Sequence, residues 1–187
     1  MTERRRHAGP EDSGSAVRRM AEVRAAAEIR AENLRLDEEL LAEAEAFDPA
    51  RLTEAPEGEW SAARVMAHLG EFPRFFAGEL RRWREDPAAV VGRTHEHPVR
   101  LAAVASAADA LDDLVAAMRV SFRELAAALD GLSDGDVDAK TENVKYGPEP
   151  LSAFFDRYVI GHKAGHLDQL RALAAAGRSR PAPGPAA

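Results

Sequence analysis

The chain has 187 residues, a formal charge of −7 and no cysteine. That length holds one domain with tail to spare, and the acidic balance excludes nucleic acid as the default partner. The missing thiols exclude disulfides, thiolate metal sites and a protein thiol nucleophile, though not a thiol brought in by a cofactor.

Residues 1–14 carry Gly, Pro, Ser and charge without periodicity and are expected to be a disordered tail, His7 included. Arg4, Arg5 and Arg6 are its only basic cluster. No apolar segment follows them, so no secretory signal is expected, and no run approaches the roughly 18 apolar residues of a membrane span. The expectation is a soluble cytoplasmic protein. From Ser15 to Ala46 the Ala, Glu, Arg and Leu content makes a helix by propensity, with Ile29, Leu36, Leu40 and Phe47 on one face. Asp48-Pro49 ends it, and Thr53 to Glu59 is a loop. Ser61 is a good N-cap for a second helix running to about Arg84, with Trp60 stapled onto Val65. Pro73 lies inside that helix. Its ring opposes the Leu69 carbonyl, so a kink is expected beside His68.

Asp86 to Pro98 reads as a loop. From Leu101 to Leu129, apolar residues three and four apart (Val104, Ala108, Leu111, Val115, Met118, Phe122, Leu125) form the seam of a third helix, which Gly131 ends. Ser133 to Glu149 reads as a second long loop. Pro150 suits the first turn of a last helix that stops at Gly177, and residues 178–187 form a Pro-rich disordered tail. The expected fold is all-α: one domain over 15–177, a four-helix bundle, with no strand. Its long loops could cover one end where a site opens.

The last helix carries the most informative pattern. At about 100° per residue, Leu151, Phe155, Tyr158, His162, His166, Gln169 and Leu173 share one stripe. The stripe is apolar at both ends and polar in the middle. Buried polar groups left without partners cost about 1–3 kcal/mol each, so something should face them. His162 and His166 lie one helical turn apart, and neutral imidazoles are common ligands for divalent metals. The pair lacks the Glu of the protease version His-Glu-x-x-His. His68, among apolar neighbours on the second helix, is the candidate third ligand. Three histidines with open positions are the form that catalytic zinc takes. Glu71 and Gln169 each follow a histidine by three, so either could orient a ligand, although Glu71 reads first as a surface carboxylate. His95 and His97 could close over the site or simply lie exposed in their loop. Trp60 and Tyr158 read as core, and the other carboxylates as solvated helix faces.

Trp60-Ser61 leading into His68-Leu69, then His162-x-x-x-His166 followed by Gln169-Leu170, resemble the DinB-like family of metal-dependent enzymes. The resemblance covers about residues 30–176. It implies a four-helix bundle holding a divalent metal, zinc or nickel, on His68, His162 and His166. It also implies chemistry on a small-molecule substrate, since relatives include transferases and isomerases that use bacillithiol, mycothiol or glutathione, such as mycothiol-dependent maleylpyruvate isomerase. The Ala- and Arg-rich composition looks like that of a high-GC bacterium, which favours mycothiol among the thiols. Many relatives are homodimers. The alternative from another class is a non-catalytic metal-binding or stress-response bundle, which a fourth protein ligand such as His95 or His97 would favour.

Overall fold

A computed structural model describes residues 25–178. The tails expected at residues 1–14 and after Arg178, and residues 15–24 of the first expected helix, lie outside them.

The described chain is mostly helical. Helix α1 (Ala26–Glu45) buries Ile29, Leu36, Leu40 and Ala44 on the expected face. A 3-10 turn at Pro49–Arg51 and a loop lead to α2 (Ala62–Glu85). Ser61 caps α2 as expected: its Oγ accepts from Arg64 N–H at 3.4 Å. Helix α4 (Leu111–Asp130) buries Val115, Met118, Phe122, Leu125 and Leu129 along the expected seam. The last helical rod starts as α6 (Leu151–Phe155), passes through a π-helical stretch at Asp156–Ile160 and continues as α7 (Gly161–Arg178). Helix α2 packs against α4 and α7, and α1 packs against the same two from the other side. Phe72, Phe76, Phe154, Phe155, Leu69 and Met66 fill the space between them.

Two details fix α2 at the level of the histidines. A side chain at Gly70 would meet Ala117 Cβ at 3.2 Å, so the absence of one lets α2 and α4 approach closely. Pro73 stays inside the helix, and the next donor, Arg74 N–H, is taken by Ser121 Oγ of α4 at 3.0 Å. The fully buried Ser121 thus supplies an acceptor beside the proline's disruption of the helix ladder.

The structure departs from the sequence reading in the long connections. The expected third helix is two: α3 (Pro98–Ala105) and α4, separated where Ser106 Oγ donates to Ala102 C=O at 2.7 Å. A competing side-chain hydrogen bond of this kind favours termination. The two long loops also contain a short helix, α5 (Asp134–Asp138), and a small three-stranded sheet that the sequence did not suggest. Strand β1 (Val90–Val91) pairs parallel to β2 (Lys140–Asn143), which pairs antiparallel to β3 (Gly147–Pro150). These strands escaped notice because β2 buries Thr141 and Asn143 rather than apolar residues, and β3 is Gly-Pro-Glu-Pro. The sheet joins the two loops beside the end of α2 and α6. No helix among the described residues is long and apolar enough to cross a membrane.

Candidate metal centre

His68 comes from α2; His162 and His166 come from the first turns of α7. The Nε2 atoms of His68 and His162 lie 2.9 Å apart, as do those of His162 and His166. Three ring nitrogens from two helices therefore converge within 4.8 Å of one another. Among the described residues no further histidine or carboxylate shares the cluster. His95 lines the neighbouring cavity and His97 packs on Phe75, so neither supplies a fourth ligand.

Local backbone explains how the pair on α7 is aimed. Gly161 N–H donates to Asp156 C=O across five residues, one residue before His162. A Cβ at Gly161 would meet that carbonyl oxygen at 3.0 Å. The extra residue in this turn rotates everything after it relative to α6, and π turns of this sort concentrate at functional sites.

Polar groups stand behind two of the three rings. Gln169 Oε1 sits 3.0 Å from His166 Nδ1, so it accepts that N–H and leaves Nε2 with a lone pair toward the centre. Glu71 Oε2 lies 3.6 Å from His68 Nδ1, an electrostatic contact too long for a hydrogen bond. His68 Nδ1 is otherwise buried without a partner. Glu71 is in turn gripped by Arg93, whose Nη1 and Nη2 donate to its two oxygens at 2.6 and 2.7 Å. Burial pushes the Glu71 carboxyl up, but His68 and Arg93 outweigh it and hold it at about 2. Glu71 is thus an ionised carboxylate held by Arg93 beside His68, and not a surface carboxylate.

Burial, and then the neighbouring imidazole charges, depress the histidines: His162 falls to about 3, His166 to about 4, and His68 moves the same way mainly through burial. The cluster is therefore neutral at physiological pH. Ligands about 2.0–2.1 Å from a tetrahedral ion stand about 3.3 Å apart, so the observed 2.9 Å separations need only a small outward movement. Three neutral, converging ring nitrogens, one with its tautomer fixed by Gln169, fit a borderline divalent cation.

Two residues read as core belong to the site. Trp60 stacks on His166, with ring centroids 6.2 Å apart and planes 7° apart, and meets His68 edge-on at 5.5 Å. Tyr158 lines a cavity of about 160 Å3 that also touches His68 and His162. Arg93, Arg100 and Lys145 line it too. Arg100 lies 4.9 Å from the Trp60 ring centroid, and burial and then the charge of Arg93 hold its pKa below the ordinary value. No local pattern marks these cations: Arg93 and Lys145 sit in stretches read as loop, and Arg100 between such a loop and the expected third helix.

A second polar cluster was missed on the opposite side of α7. Lys163 is fully buried, donating to Asn33 Oδ1 at 2.7 Å and to Asp37 Oδ1. Asn33 Nδ2 donates to Asp37 Oδ2 at 3.0 Å. Burial favours the neutral form of both ionisable partners, and their mutual attraction opposes it. Asp37 is therefore not a solvated helix-face carboxylate. The i, i+4 spacing of Asn33 and Asp37 within the apolar face of α1 was the available sequence signal.

Comparison with known proteins gives a consistent fold. The DinB superfamily model matches residues 21–170. A structure described as sibling lethal factor precursor, DfsB, superposes with TM-score 0.65 at 15% identity, covering 83% of this chain and 98% of its own. A Streptococcus pneumoniae protein gives TM-score 0.63 at 12% identity, covering 80% of this chain and 90% of its own. The colibactin self-resistance protein ClbS, crystallised in complex with double-stranded DNA, gives TM-score 0.63 at 12% identity, covering 80% of this chain and 95% of its own. No curated protein shows significant similarity to the sequence.

The ClbS complex overturns the expectation that nucleic acid is excluded as a partner. Net charge is a sum over the chain and does not report its distribution. Here an acidic protein gathers Arg93, Arg100 and Lys145 at one cavity.

Proposed function

The chain belongs to the DinB superfamily, and from that premise we propose that it is a divalent-metal-dependent enzyme built on a four-helix bundle. His68, His162 and His166 hold the ion, zinc or nickel, and the reaction uses a low-molecular-weight thiol such as mycothiol, or water, for transfer, isomerisation or hydrolysis. The observation that carries this reading is the convergence of three neutral imidazoles, with one 2.9 Å Nε2–Nε2 approach between α2 and α7 and a second within α7.

When bound, the ion supplies Lewis acidity that favours the deprotonated form of a thiol or water at neutral pH. The chain's own residues do the rest. Gln169 and Glu71 keep the Nδ1 protons of His166 and His68 on the outer side of each ring. Trp60, stacked on His166, walls off one side of the cluster. Phe76 and Tyr158 give the cavity an aromatic wall that limits water around the reacting groups. The absence of protein cysteine suits a thiol delivered by a cofactor.

The cavity touching two of the three histidines favours catalysis over a sealed structural site. The test is thiol conjugation to an electrophilic acceptor, by zinc- or nickel-loaded protein, with mycothiol and glutathione as donors. Thiol consumption by the loaded protein that is lost in His162→Ala supports the reading. Equal rates in the variant would overturn it. Nucleic-acid contact is a second reading, supported by the DNA complex of ClbS, and a mobility-shift titration with duplex DNA tests it directly.

A further inference from the structure

Three separate segments, two loops and the start of α3, each bring one cation to the cavity beside the histidines. Gly92, at φ +92°, turns the chain out of β1 into Arg93. Arg100 stands in the first turn of α3. Lys145 sits in the β2–β3 turn, where Asn143 Oδ1 accepts its backbone N–H at 2.8 Å. Val144 N–H donates to Val91 C=O at 3.0 Å, which fixes the Arg93 and Lys145 segments to each other. The cations are thus held by a built framework.

The charges are not compensated alike. Arg93 is occupied by Glu71. Arg100 donates to the His95 carbonyl at 2.6 Å, and Lys145 Nζ lies 5.1 Å from the Tyr146 ring centroid. Among the described residues neither is ion-paired to a carboxylate, and no Asp or Glu lines the cavity. A concave site with one sign of charge and low-dielectric walls concentrates ions of the opposite sign. Phe76 and Tyr158 supply such walls.

We propose that this cavity binds a small organic carboxylate, its anionic group held by Arg100 and Lys145 and its apolar part against Phe76 and Tyr158. These two cations then decide which molecules reach the histidines. The proposal names a substrate class for the enzyme argued above and rests on that reading for the reaction, though not for binding. A duplex phosphate backbone is the less fitting occupant. Tracking one takes several cations spread along a surface, whereas two unpaired cations here flank a cavity of about 160 Å3.

The experiment is calorimetric titration of the full chain with phenylacetate and with its neutral isostere phenylacetamide, on zinc-loaded and on chelator-treated protein. Charge-assisted hydrogen bonds predict at least about tenfold tighter binding of the carboxylate in both states. The Arg100→Gln/Lys145→Gln variant should lose that preference, and Arg123→Gln, on α4, should keep it. Unfolding curves establish that the variants are folded, and Lys145→Gln alone, in an exposed turn, gives the intermediate preference if the double variant is not. Equal affinity for the amide, or a preference that survives the double variant, overturns the proposal. Phenylacetate binding only to zinc-loaded protein, indifferent to both substitutions, also overturns it and leaves the metal reading standing. A preserved preference in protein that takes up no zinc supports it and removes the metal reading. Displacement of phenylacetate by a short duplex, steeply salt-dependent and lost in the double variant, replaces the carboxylate with a nucleic-acid backbone.

Discussion

Glu71 and Gln169 each stand behind an imidazole, and this pairing makes the histidine cluster more than a coincidence of spacing. Metal affinity depends on such partners, and losing one typically costs about 10–100-fold. Glu71→Gln should therefore weaken zinc or nickel affinity by about that factor, as read by competition with a chromophoric chelator. Unchanged affinity would show that Glu71 serves only Arg93. The substitution also leaves the buried Arg93 guanidinium without its carboxylate, so a loss of about 3 kcal/mol in unfolding free energy is expected with it. The imidazoles set the acid response of the metal-free protein. In the unfolded chain they titrate near 6.5, while the folded chain holds His166 to about 4 and His162 to about 3. As pH falls the unfolded state takes up protons first. The contribution is therefore full above 6.5 and is lost as pH falls from there toward about 3. Urea unfolding of chelator-treated protein should show midpoints dropping over this window, and a flat profile between pH 7 and 4 would contradict the depressed values.

Among the elements, the last helical rod carries the most. Its π stretch ends two residues before His162, so the register of both α7 histidines depends on that turn. In an ordinary helix Gly→Ala stabilises by up to about 1 kcal/mol. At Gly161 the added Cβ would meet Asp156 O at 3.0 Å, so the sign should reverse: Gly161→Ala should destabilise and lower metal affinity together. A stabilised variant with full affinity would mean that the π turn is incidental. On the other side of the rod, Lys163 ties α7 to Asn33 and Asp37 of α1. Removing one member of a buried pair strands the other charge. Lys163→Met should cost about 3–5 kcal/mol, and adding Asp37→Leu should recover most of it. A double variant as unstable as the single one would show that packing, not charge, dominates there.

For the molecule as a whole, the long helices were legible because each carries a continuous 3.6-residue apolar period, as the buried run from Val115 to Leu129 illustrates. The histidines were legible because they interrupt such a period with groups that need partners. The cavity was not. Its cations lie in connections whose structure comes from pairing between distant segments, Val90 with Glu142 and Val91 with Asn143, and no local pattern announces that. Asp37 was misread, and Lys163 passed over, for a related reason: each looks like an ordinary charged helix residue until its partner on another helix is seen. Trp60 illustrates the limit from the apolar side. Its burial was foreseeable, but its stacking on His166 requires α7 to be in place. The proposed chemistry depends on the three imidazoles holding a metal ion. The most direct test is metal content by mass spectrometry of the untagged protein beside a His68→Ala variant. About one equivalent of zinc or nickel in the parent, and little in the variant, is the predicted result. A metal-free parent that resists reconstitution and unfolds identically with and without chelator would contradict it.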